Sequence, residues 1–259
     1  MPGHALRIAC ALLLAALAGC ASLDPTTRQR QVASVLAYLF PGAERTPVAA
    51  QGVAELKVPF RIGVAFVPDT GPAPFRLPET ERIALAGRVR DAFANYPLVS
   101  EIATVPSMYL EPGGGFANVD RIAAMLHFDV IALISFDQVQ NSGANGWSFL
   151  YWTGIGAYTV DGDQYDILTA VETAVFDVRS RRLLMRAGGT SNQKGSATMI
   201  GFSEQARAAR TRGFDAAVQA MIPQLQAELR QFRERAPNDP GIRLVLPPGY
   251  DPAASAPAH

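Results

Sequence analysis

The side chains that could do covalent or acid–base chemistry are few in this 259-residue chain: two cysteines, Cys10 and Cys20, and three histidines. His127 stands alone at the end of an expected helix, where an imidazolium meets exposed carbonyls; that is a structural role rather than a catalytic one. Gly146-Trp147-Ser148-Phe149-Leu150 lacks the second glycine of a nucleophile elbow. No HExxH and no cysteine pair offers zinc ligands. The glycines at 113–115 do not follow a strand with phosphate-loop spacing, and no Lys-Ser/Thr pair comes after them. Gly154-Ile155-Gly156 lacks the third glycine of a dinucleotide fingerprint. Asp161-Gly162-Asp163-Gln164-Tyr165-Asp166 presents oxygens to a hard cation, but without the EF-hand spacing or its closing glutamate it reads as a polar turn. These absences predict no catalytic residue, no cofactor and no metal site. The expected protein is not an enzyme.

Cys20 is the exception. Arg7 precedes an apolar run from Ile8 to Leu17, and Leu17-Ala18-Gly19-Cys20 follows. Charge, apolar core and small residues in that order are a secretory signal. The apolar core is too short to remain as a membrane helix, which needs about 20 residues. The last four residues resemble the lipobox of bacterial lipoproteins. That resemblance implies transfer of diacylglycerol to the Cys20 thiol, cleavage before Cys20 and acylation of the new amine. Because Ala21 and Ser22 follow, rather than Asp, the sorting rule of such lipoproteins implies the periplasmic leaflet of the outer membrane. Cys10 leaves with the signal, so the mature chain has no thiol for a disulfide. Acyl chains contribute ~0.8 kcal/mol per buried CH₂, and three of them hold more firmly than one.

Residues 147–158, WSFLYWTGIGAY, gather Trp147, Phe149, Tyr151, Trp152 and Tyr158, and both tryptophans of the chain lie there. As a strand, one face would carry Trp147, Phe149, Tyr151, Thr153 and Ile155. The other would carry Ser148, Leu150, Trp152, Gly154 and Gly156. The second face is small and apolar, whereas a water-filled barrel needs a polar one. Three readings stay open: a loop over the domain's own core, a partner or self-association surface, or a membrane-inserting segment. Trp and Tyr supply contact area at low entropic cost, which makes these residues the candidate interaction surface.

The elements must present those residues. The chain is 49% hydrophobic with 23 basic and 23 acidic side chains, which excludes disorder. The zero balance also argues against nucleic acid as a partner. Residues 27–40 read as an amphipathic helix with Val32, Val35, Leu36, Leu39 and Phe40 on one stripe, ended by Pro41-Gly42. Residues 41–57 read as a connection. Phe60–Val67 is a predicted strand, and Glu79–Tyr96 a helix with Ile83, Ala86, Val89 and Phe93 inward. Leu98–Val105 with Met108–Leu110 reads as strand, and Asn118–His127 as helix. Asp129–Val139 is a strand buried on both faces. Asp166–Val178 and Arg182–Thr190 form a hairpin around Arg179-Ser180-Arg181. A last helix runs from Ser203-Glu204 to about Arg235, bent or divided by Gly213 and Pro223. Ile242–Leu246 is one edge strand in a proline-rich tail. The fold class is α/β, a mixed α+β arrangement in the order β-α-β-α-β-β-β-α, with helices covering a mixed sheet. The domain division is 1–19 signal, 20–57 lipidated N-terminus, helix and linker, 58–235 α/β domain, and 236–259 tail.

That order after a lipobox resembles the α/β domain of curli-secretion-type (CsgG-like) lipoproteins, the TolB N-terminal domain and outer-membrane activators of peptidoglycan synthases. More closely, Val35-Leu36-Ala37-Tyr38-Leu39-Phe40-Pro41, Phe149-Leu150-Tyr151-Trp152-Thr153 and Phe176-Asp177-Val178 with Arg182-Leu183-Leu184 resemble the rhombotarget lipoprotein family. Members with a C-terminal sorting tail end in a glycine pair, an apolar span and basic residues. This chain ends in Pro-Gly-Tyr-Asp-Pro-Ala-Ala-Ser-Ala-Pro-Ala-His instead. The resemblances imply a lipid-anchored binding or assembly module of the envelope, held in the membrane through Cys20, with an envelope protein or a second copy as partner. The rivals are an oligomeric curli-secretion-like channel or accessory component, and a periplasmic hydrolase.

Overall fold

The computed structural model describes residues 27–42, 52–69, 76–94, 96, 98–144 and 161–248. The architecture is mixed α/β, as the order of elements predicts. Strand β1 (Thr27–Ala33) leads into helix α1 (Val35–Leu39), and β2 (Ala54–Lys57) precedes β3 (Phe60–Phe66). Helix α2 (Glu79–Phe93), β4 (Val99–Thr104), α3 (Gly115–Leu126) and β5 (Val130–Ala144) follow. The long strands β6 (Asp163–Asp177) and β7 (Leu183–Ala197), helix α4 (Phe202–Arg235) and β8 (Ile242–Val245) complete the chain.

The main sheet has the order β4-β3-β5-β6-β7, with β1 also paired to β5. The pairs β3–β4 and β3–β5 are parallel, the second in the register Ile62↔Val130 to Phe66↔Ile134. Crossovers of this kind put helices on the sheet faces. α2 and α4 share one face: Arg88 pairs with Asp215, and Thr211 donates its hydroxyl proton to Glu81. Phe214 of α4 meets Phe136 of β5 edge-on at 5.0 Å. On the other face Phe116 of α3 lies between Phe40 and Phe176, at 5.8 Å from each.

The chain divides into two compact units. The larger comprises Arg30–Val139, Ile167–Gln193 and Arg207–His259; the smaller gathers Gln140–Asp166 and Lys194–Ala206 with the chain up to Gln29. In the larger, wholly buried Phe66, Ile131, Leu133, Ile134, Phe214, Met221 and Phe232 form the centre of the core. In the smaller, Tyr165 and Ala197 are buried, and Phe202 packs edge-on against Tyr165 at 6.2 Å.

Several elements differ from the sequence reading. The helix expected over 27–40 is a strand followed by a five-residue helix, and Leu36 of the expected apolar stripe is 69% exposed. Segment 54–57, read as connection, pairs in parallel with the tail strand β8, from Ala54↔Ile242 to Lys57↔Val245. Met108 lies in a 3₁₀ turn (Ser107–Tyr109) rather than a strand, because Pro106 has no N–H to continue a ladder. Ile83 is 42% exposed; Arg82 and Leu85 take the inward positions of α2. Gly213 and Pro223 do not divide α4, which spans 34 residues with Pro223 inside.

Candidate functional site

In a parallel α/β sheet the place for a ligand is the crevice beyond the carboxyl ends of the strands, where the strand order reverses. Here β3 leads through α2 to β4 on one side, and β4 leads through α3 to β5 on the other. The reversal therefore lies at the ends of β3, β4 and β5. Asp69 follows β3 there, with its side chain only 3% exposed. Its Oδ2 accepts from Arg82 Nη2 at 2.8 Å and from Gln31 Nε2 at 2.7 Å, and its Oδ1 faces Arg76 Nε at 3.4 Å. Arg82 is held further by donation to the Leu77 carbonyl at 2.9 Å. Beyond β4, Glu79 accepts from the Ser107 N–H at 2.7 Å and from the Ser107 hydroxyl. The Thr104 hydroxyl and Gln31 Oε1 are buried with no hydrogen-bond partner among the described residues.

Gln31 belongs to β1, and that strand lies beside β5 beyond the end of β3. Arg30 forms a bidentate pair with Asp137 of β5, at 2.9 Å and 2.5 Å. Thr27 and Arg28 lie beside Asn141–Gly143, so β1 runs antiparallel to β5. Side chains of a strand alternate between its faces. Arg30 therefore points to the open face, and Gln31 points inward to Asp69. Asp137 holds the Arg30 guanidinium above its ordinary pKa, by a hydrogen bond and by charge. Both oxygens of Asp69 are committed to cations and an amide. The pair is a lock between strand and helix.

The sequence-derived residues fall elsewhere. His127 is the C-cap of α3, in the left-handed conformation (φ 58°), and its N–H closes on the Ala123 carbonyl, a capping role. Asp163 and Asp166 lie in the first residues of strand β6 rather than in the expected polar turn, and Asp166 pairs with Lys194 at 3.3 Å. Among the described residues no group of His, Cys, Asp or Glu could hold a metal ion. The glycines at 113–115 have a packing reason: Gly113 and Gly115 adopt positive φ of 68° and 64° against Pro41 and the Leu39 carbonyl. Asn118, which sequence reasoning did not single out, organises that turn. Its Oδ1 accepts from the Tyr38 hydroxyl at 2.7 Å and the Glu111 N–H at 3.0 Å, while its Nδ2 donates to the Tyr109 carbonyl at 3.1 Å. Burial, aided by Glu111 and opposed by Arg121, pushes the Tyr38 phenol well above its ordinary value. Cys20, Trp147, Phe149, Tyr151, Trp152 and Tyr158 lie outside the described residues.

Among the described residues two surfaces stand out. The face of β6 and β7 turned away from α4 exposes Glu172, Arg186, Gly188, Thr190 and Asn192, with Arg186 and Glu172 3.6 Å apart. In the smaller unit an open polar groove lies between Thr27, Arg28, Asn141, Gln164, Tyr165 and Ser196. Between the sheet and α2 and α4 there is also a cavity of about 50 Å³, lined only by apolar side chains such as Phe60, Val130, Val175 and Leu229. Ligand pockets run to roughly 300–1,000 Å³ and carry a few polar groups that fix orientation. This cavity has neither the size nor the polar groups, and it is a packing void.

No family model and no curated protein matches the sequence. Among solved structures, the chain is similar to a dodecamer of a PelC point variant from Paraburkholderia phytofirmans. The identity is 10%, the TM-score 0.25, and the match covers 74% of this chain and 98% of that one. A putative neuraminyllactose-binding hemagglutinin homolog from Helicobacter pylori matches at 6% identity and TM-score 0.37, covering 76% and 96%. Lipoprotein GNA1162 from Neisseria meningitidis matches at 11% identity and TM-score 0.25, covering 60% and 96%. Likeness this loose leaves the reading of the site to the chain's own geometry.

Proposed function

We propose that this chain is a lipid-anchored protein of the periplasmic leaflet of the outer membrane, acting as a non-enzymatic binding or assembly module. One observation carries the reading: the strand that begins seven residues after Cys20 is built into the sheet and sets Gln31 against Asp69 in the crevice where an α/β enzyme would hold its substrate. A tether that ends in a ladder strand holds the body to the membrane. Gln31, Asp69 and Arg82 are engaged with one another in that crevice, which favours the exposed strands as the surface for recognition. The experiment is metabolic labelling with palmitate and fractionation of Cys20→Ser against the parent chain, followed by crosslinking in intact envelopes. The parent takes up label and sediments with outer membranes, while Cys20→Ser does neither. Parent protein that stays in the soluble periplasmic fraction overturns the reading.

A second reading rests on β7. This fifteen-residue strand ends the sheet order, and among the described residues no strand pairs with its outer edge. Such an edge is a template for another chain. It favours self-association, in the manner of a secretion-type oligomer. Detergent-extracted protein of defined copy number supports it, and a monomer over a wide concentration range refutes it.

A further inference from the structure

The turn between β7 and α4 presents apolar side chains where turns ordinarily carry Gly, Asn, Asp or Ser. Met199 is 56% exposed and Ile200 54% exposed. The turn is held in place on both sides. The Gly201 N–H donates to the Thr198 hydroxyl at 3.1 Å, Ala197 before it is wholly buried, and Phe202 after it packs on Tyr165. The two side chains are thus fixed outward by a structured turn.

Single exposed apolar residues are common and mean little; their place in the chain gives these meaning. β7 reaches this turn from Lys194–Ser196, which share one groove with Thr27 and Arg28. Thr27 is seven residues from Cys20. Even fully extended, seven residues reach only about 25 Å. An acylated Cys20 therefore keeps this end of the sheet within that distance of the leaflet. The same strand ends, of β5 at Ala144 and of β6 at Asp163, receive and return the segment that holds both tryptophans of the chain.

We propose that the Thr198–Gly201 turn is a second membrane contact, with Met199 and Ile200 entering the interfacial layer of the leaflet that holds the Cys20 acyl chains. The partner is the lipid surface. Two contacts, one covalent and one apolar, would fix the orientation of the sheet end at the membrane, which a single tether cannot do. The inference rests on the anchor reading above, and its test separates the two. Thioether formation at Cys20 leaves no free thiol in the mature chain, so Ile200→Cys, or equally Met199→Cys, takes one environment-sensitive fluorophore. Arg179→Cys, on the exposed turn that joins β6 to β7, is the control. The lipidated proteins are reconstituted in phosphatidylethanolamine/phosphatidylglycerol vesicles, with and without nitroxide-labelled lipid.

The expected result is a blue shift at 200 that lipid nitroxide quenches, and no change at 179. A water-like, unquenched signal at 200 on protein that floats with the vesicles overturns the second contact and leaves the anchor standing. Protein that does not float overturns both. A blue shift without vesicles in Cys20→Ser protein, growing with concentration, assigns the turn to a second copy and overturns the lipid contact.

Discussion

Arg82 and Asp69 share a nearly dry site, with side chains 9% and 3% exposed, and each depends on the other. Removing one partner of a buried pair strands the other charge, so Arg82→Ala is expected to lose about 3–5 kcal/mol of stability, read by urea unfolding. Tyr38 behaves differently because it is buried neutral. Its ordinary value is 10.0, and in the fold it is raised. An unfolded chain therefore releases this proton near pH 10 while the folded chain keeps it. The contribution is intact below that pH and is lost as pH rises toward the folded value. Tyr38→Phe should flatten the alkaline limb of stability against pH, and cost about 1 kcal/mol at neutral pH through the hydrogen bond to Asn118. None of these roles was legible in the sequence. A buried Asp–Arg pair thirteen residues apart, or an Asn joined to a Tyr eighty residues away, leaves no local pattern. The place of His127 at the end of its helix was legible, and its φ of 58° there is that of a left-handed cap.

At the scale of elements, helix α4 comes unusually close to the sheet, and glycines on both sides permit it. A Cβ at Gly189 of β7 would collide with the Ala217 carbonyl and the Met221 backbone. A Cβ at Gly213 of α4 would lie 2.6 Å from Thr169 Oγ1 and 3.4 Å from Gln138 Nε2. Gly213→Ala should therefore destabilise by about 1–3 kcal/mol in thermal unfolding, although alanine is the better helix former. Gly189→Ala should cost more, because backbone cannot move aside as a side chain can. The strands and helices with apolar repeats, from Phe60 onward, were readable because burial imposes periods of two and 3.6. β1 was not. Its inward residues include Gln31, which faces Asp69 rather than a greasy core, so the strand shows no apolar alternation. The far half of β7 was truncated in the reading for a related reason: from Gly188 to Ser196 the strand is glycine and polar residues throughout. In α4, the surrounding packing carried Gly213 and Pro223 through what their propensities alone would have broken.

For the whole molecule, the α/β class followed from the alternation of element types, while the closing pair β2–β8 did not, since a four-residue strand and a proline-rich tail carry no signal for each other. Deleting the chain after Asp239 removes the partner of Ala54–Lys57 and should lower the midpoint of urea unfolding without abolishing the main sheet. On the anchor proposed above, Cys20→Ser should move the protein from membranes to the soluble periplasmic fraction, read by fractionation. There is a mechanical corollary to the way β1 is laid against β5. In an antiparallel ladder the bonds lie across the strand axis. A tug on Cys20 along that axis is borne by every rung at once in shear, whereas a sideways pull would unzip the rungs singly. A strand so mounted acts as a strap, and in the proposed anchored protein a force transmitted through the lipid would meet the sheet along its strongest direction.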